Sequence, residues 1–203
     1  MYGCRHDIAF SILETEKLPL MTKGYTFLTL LLLACIAGYS QPNTALVKYY
    51  NGIPVFYRCK PSNPYKIIGY ESRNTVVNNV TDAFETYTRI ARRDFKDCMG
   101  IIMAKDLNMD MDSFDVIRFT EVAANNTAVL PEPIFFSATP VMPYQVDTTI
   151  LCRAAWIDLG RNLQNFYEEA RQLRRPFDGI IVDDVNYSFA KNKVQVFRWK
   201  KGE

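Results

Sequence analysis

The feature that most constrains this chain is an internal repetition. Pro54-Val55-Phe56-Tyr57 returns as Pro133-Ile134-Phe135-Phe136, Pro61 as Pro140, and Pro64-Tyr65 as Pro143-Tyr144, always 79 residues further on. The same step carries Val80, Phe84, Tyr87 and Ala91 onto Leu159, Leu163, Phe166 and Ala170. Both sets are spaced i, i+4, i+7, i+11, which predicts one apolar stripe along a helix. Asn79 and Asp158 stand just ahead of them as N-cap residues. Gly100-Ile101-Ile102 then recurs as Gly179-Ile180-Ile181, a short apolar run that reads as a buried strand. After one extra residue in the second half, Phe114-Asp115-Val116-Ile117-Arg118-Phe119 recurs as Val194-Gln195-Val196-Phe197-Arg198-Trp199, a last strand rich in β-formers. Five collinear blocks at one step exceed coincidence.

These blocks predict an α+β fold: a tandem duplication of a small ββαββ module, with copies at residues 50–120 and 132–200 and a loop-like linker over 121–131. A unit of about 70 residues buries too little surface to be secure alone, so the two copies are expected to pack together. Phe56 and Tyr57, like Phe135 and Phe136, are neighbours and point to opposite faces of their strand, so both faces must be covered. Arg92, Arg93, Arg171, Arg174 and Arg175 gather at the predicted helix ends, where cations complement the helix dipole. The helix, glycine-led strand and last strand of each copy resemble the small α/β modules of the YbjQ-like family. That resemblance implies a small α/β unit and carries over no functional residue.

The N-terminal region predicts export. Thr26 to Ala37 is an apolar run, preceded by Lys23 and followed by Gly38-Tyr39-Ser40-Gln41. This is the pattern of a signal peptide over residues 21–40, cleaved after Ser40, with Met21 as the start and residues 1–20 as a non-native extension. The run falls short of the about 20 apolar residues that a spanning helix needs, so the mature form is expected to have no transmembrane span. Leu32-Leu33-Ala34-Cys35 offers a second route, lipid anchoring through Cys35. Either way the chain is expected in the periplasm or outside the cell. A formal net charge of +2 argues against long-range attraction to nucleic acid.

Candidate chemistry is sparse. The single histidine, His6, lies upstream of the signal peptide, which removes histidine-based catalysis and histidine-ligated zinc from the mature form. No G-x-S-x-G, P-loop or G-x-G-x-x-G motif is present, and no cofactor is implied. Asp106, Asn108, Asp110 and Asp112 alternate and offer oxygen ligands to Ca²⁺, but Met111 and Ile117 stand where an EF-hand loop needs glycine and glutamate. A polar hairpin is the simpler expectation there, and Asp183 and Asp184 fall in its counterpart. Arg118 and Arg198, at matching places, could together receive an anion or a partner's carboxylate, the alternative being salt bridges at the strand ends. Cys59, Cys98 and Cys152 remain after cleavage, with a Cys59–Cys98 bridge set against buried free thiols.

The expected function is therefore a non-enzymatic binding or structural module of the cell envelope, with an unknown protein or a small anionic ligand as partner and self-association left open. A carboxylate-dependent hydrolase with its site between the modules, and a divalent-cation binder, are the alternatives.

Overall fold

The computed structural model describes residues 43–73, 79–104, 112–121, 126–155, 158–187 and 190–200. The export and lipid-anchor expectations, which rest on residues 1–41, lie outside the described residues, as do Asp106, Asn108 and Asp110. The first half runs through β1 (Thr44–Val47), β2 (Tyr49–Tyr50), β3 (Ile53–Tyr57), β4 (Lys60–Pro61), β5 (Tyr65–Arg73), helix α1 (Val80–Asp94), β6 (Gly100–Met103) and β7 (Asp112–Phe119). The second runs through β8 (Thr127–Val129), β9 (Ile134–Phe136), β10 (Ala138–Pro140), β11 (Tyr144–Arg153), helix α2 (Leu159–Arg171), β12 (Gly179–Val182) and β13 (Lys191–Trp199). The fold is mixed α+β and mostly sheet, with two helices and three sheets among the described residues. No described helix is long and apolar enough to cross a membrane.

Each helix begins where its cap chemistry requires. The Asn79 side chain accepts the Asp82 N–H at 2.8 Å, and the Asp158 side chain accepts the Arg161 N–H at 3.0 Å. The apolar stripes follow at once, and all eight stripe residues named above are buried. Arg92, Arg93 and Arg171 fall in the last turns as the helix dipole favours.

The two larger sheets have the orders β2-β3-β6-β7-β5 and β9-β12-β13-β11. In each, β3 or its counterpart β9 lies parallel to the strand after the helix, and the last strand is inserted antiparallel between that strand and the long outer one. This is a split βαβ crossover. The registers correspond: Val55 faces Ile101 as Ile134 faces Ile180, and Tyr65 faces Phe119 as Tyr144 faces Trp199. Both outer strands break register at the same place, between Ile67 and Gly69 and between Val146 and Thr148. Even the exits from β3 and β9 agree. Arg58 and Ser137 take left-handed backbone, with φ of 51° and 48°, and their N–H groups bond Met103 O at 2.8 Å and Val182 O at 2.9 Å.

The third sheet, β10-β1-β8-β4, corrects the expectation of a loop-like linker over 121–131, because β8 lies within that stretch. Its central strands β1 and β8 run antiparallel, yet β1 pairs outward with β10 of the second half and β8 with β4 of the first. One cross-strand row reads Pro140, Ala45, Ala128, Pro61. Each half thus lends its leading strand to the other. The prolines are tolerated because β4 and β10 are the sheet's edges, where a missing N–H leaves no ladder bond unmade.

Two hydrophobic clusters follow from strand alternation. Val55, Tyr57 and Phe136 join both helix stripes in one core, while Phe56 and Phe135 point the other way into a second core with Ala45, Ala128, Ile117 and Phe197. Phe84 of α1 lies 6.0 Å, centroid to centroid, from Phe136 of β9, so the helix side of the core is continuous across the halves.

Candidate ligand groove

The residues singled out in the sequence mostly have structural partners. Arg118 bonds Asp97 at 3.0 Å, and Arg198 holds Asp147 with two hydrogen bonds. Both arginines share the helix-side face of their strands, as alternation from Val116 and Val196 requires. Both are exposed, and each is engaged within its own half, so an anion would have to displace a carboxylate from it. Exposed pairs of this kind are screened by solvent and contribute little to stability.

Asp112, the member of the acidic alternation that is described, is buried and accepts the Tyr87 hydroxyl. Asp183 pairs with Lys48 at 2.7 Å. Asp184 accepts the Thr81 N–H at 3.1 Å and the Val185 N–H at 2.9 Å, which places its charge at the N-terminus of α1. It links the second half to the first half's helix, aided by the Val80 N–H to Val185 O bond at 3.2 Å. The carboxylates near the junction of the halves, Asp112, Asp158 and Asp184, therefore all have hydrogen-bonding partners in the scaffold. Among the described residues no group of three or more His, Cys, Asp or Glu side chains is arranged to hold a metal ion.

The three cysteines among the described residues, Cys59, Cys98 and Cys152, are free. Cys59 belongs to the core opposite the helices and Cys98 lies against the helix-side core, which separates them across the sheet and rules out the bridge weighed earlier. Burial pushes the Cys59 thiol up to about 12, and burial with a contribution from Glu169 does the same for Cys152. Both thiols hold their protons more tightly when folded than when unfolded, where a thiol titrates near 8.5. Their contribution to stability is therefore complete below about pH 8.5 and declines as pH rises toward about 12. Urea unfolding at a series of alkaline pH values should show this decline, and Cys59→Ala should make it shallower. An unchanged slope would contradict the assignment.

A concavity in the first half combines apolar walls with charge. A groove of about 530 Å³ opens on the sheet face away from α1. Ile102, Ala104 and Tyr65 form its floor, and Val129, Leu130 and Pro131, from β8 and the turn after it, form one wall. Arg58, Lys60 and Asp115 supply its charges. A smaller hollow of about 140 Å³ continues it past Ser113 to Tyr70. The floor follows from register, because Phe56, Ile102, Asp115 and Tyr70 form one cross-strand row on this face. The third sheet covers the Phe56 end of the row and leaves the Tyr70 end open, where Tyr70 is 60% exposed.

The corresponding positions in the second half differ in kind. Arg58, Lys60 and Asp115 correspond to Ser137, Thr139 and Gln195 by the repeat step and its one-residue shift. The charges of the groove therefore belong to the first half alone, although the backbone corner that presents Arg58 occurs in both. The sequence does contain this asymmetry, as two basic residues matched by neutral ones between the aligned blocks. What it does not contain is the wall from β8, which comes from a stretch that reads as linker.

The described residues thus define a mixed α+β fold of two helices and three sheets with a charged groove in its first half. Comparison with known proteins gives no matching family model, no matching curated protein and no matching solved structure.

Proposed function

We propose that this chain is an exported, non-enzymatic binding module of the cell envelope or exterior, built by tandem duplication of one ββαββ unit. Its groove receives an apolar ligand that carries an anionic end. The observation supporting this reading is the groove in the first half, whose apolar floor and wall meet Arg58 and Lys60 where the second half has neutral Ser137 and Thr139. A volume of about 530 Å³ lies within the usual range for small-ligand sites. Apolar walls supply affinity by burial, and the two cations orient the ligand's charged end. The common scaffold explains why the two halves differ at the groove while agreeing in register. Duplication provides two frames, and one has acquired charge.

A carboxylate-dependent hydrolase with its site between the modules is the second reading; it needs two carboxylates converging on one pocket, and the groove contains one, Asp115. Titration with an environment-sensitive fluorescent fatty acid tests the proposal. Saturable enhancement is expected, with Val129→Asp reducing affinity at least tenfold by placing charge in the apolar wall, and Arg58→Ala/Lys60→Ala reducing it by a smaller factor. Absence of saturation, or saturation insensitive to Val129→Asp, would overturn the reading.

A further inference from the structure

The two outer strands occupy equivalent places yet differ in how they are protected. Among the described residues β5 and β11 are both sheet edges, each paired on one side only, and both are long, with 9 and 10 residues. Long exposed edges invite further strand pairing, which proteins discourage with bulges and with charges placed on the edge. Both strands have the bulge. In β11 the bulged residue is Asp147, held by Arg198, so a charge pair guards the edge. In β5 it is Ile68, with Ile67 before it and Tyr70 two residues after it 58% and 60% exposed. At the bulge, therefore, β11 presents charge and β5 presents apolar side chains, although both strands carry charged residues elsewhere.

We infer that β5 is a self-association edge, on which a second copy of this chain pairs antiparallel through its own β5. The charges on the strand select this occupant. Lys66 lies toward one end of β5, and Glu71, which also pairs with Arg73 at 3.0 Å, lies toward the other. Antiparallel pairing about a two-fold axis brings Lys66 of each copy toward Glu71 of the other, whereas parallel pairing would set like charges side by side. The guarded β11 disfavours a head-to-tail contact, so the assembly closes as a dimer instead of growing into a filament. The bulge shortens the regular ladder, and the apolar side chains on it supply contact area that the lost ladder bonds do not. Dimerisation would join two five-stranded sheets edge to edge and place the open Tyr70 ends of the two grooves beside the interface.

Sedimentation equilibrium of the purified chain tests the inference independently of any ligand. A monomer–dimer equilibrium in the micromolar range is expected. Ile68→Lys should weaken it at least tenfold, while Val146→Lys on β11 should leave it unchanged. Lys66→Glu should also weaken it, and the swap Lys66→Glu/Glu71→Lys should restore it. All four changes are at partly or fully exposed positions, and circular dichroism would confirm that each variant is folded. A chain that stays monomeric at about a hundred times that concentration would overturn the inference. So would a dimer that is insensitive to Ile68→Lys, or one lost through Val146→Lys. The groove proposal is unaffected by any of these results, because its own test reads fluorescence of a bound probe.

Discussion

Replacing Gly179 with alanine should destabilise the protein by about 3 kcal/mol, at the upper end of what overpacking costs. An added Cβ would stand 2.6 Å from the Pro133 carbonyl oxygen and 2.8 Å from the Phe197 ring. The carbonyl cannot move aside cheaply, since it accepts the Ile180 N–H at 3.0 Å and so helps set the register of β9 against β12. Gly100 holds the matching place in β6, but there the nearest atoms are side-chain carbons of Ile117 at 3.1 and 3.2 Å. Gly100→Ala should therefore cost about 1 kcal/mol, because a rotatable side chain can yield by a few tenths of an ångström. Urea unfolding midpoints at unchanged m-value would measure both. Equal losses at the two glycines would show that the backbone contact at Gly179 is not what makes it indispensable.

Phe84→Ala should cost about 3–5 kcal/mol, the range for removing a fully buried ring. Phe84 is entirely enclosed and meets Tyr50 at 5.2 Å, Tyr57 at 6.2 Å and Phe136 at 6.0 Å between ring centroids. The last of these belongs to the second half, so the cost should not be confined to the first. A double-mutant cycle with Phe136→Leu should give a coupling of about 0.5–1.5 kcal/mol, and the wild-type chain should unfold in one transition. Separate transitions for the halves, with negligible coupling, would mean that the shared helix-side core contributes little to cohesion.

Much of the local structure could be read before any coordinates. The stripe from Val80 to Ala91 and its counterpart from Leu159 to Ala170 are buried helix faces, and Asn79 and Asp158 cap the helices as their side chains suggest. The adjacent aromatics Phe56 and Tyr57 occupy opposite cores, as alternation demands. These succeed because helix and strand periods depend on neighbouring residues alone. The candidate site was far less legible. Arg118 and Arg198 match by symmetry yet are engaged by Asp97 and Asp147, while nothing nearby in sequence marks Arg58 and Lys60 as part of a cavity. Their groove forms only when Val129, Leu130 and Pro131 come to lie beside them.

By itself the sequence determined where the helices start, which side chains face inward, and that two stretches of chain share one pattern. These follow from short-range periodicity and capping, which act within a turn or a strand. Only the tertiary structure decided that β1 and β8 are exchanged between the halves, that Asp184 ends at the other half's helix, and that the charged groove lies in the first half. Strand partners distant in sequence are chosen by edge complementarity and by the burial of whole faces, and neither leaves a local periodic signal.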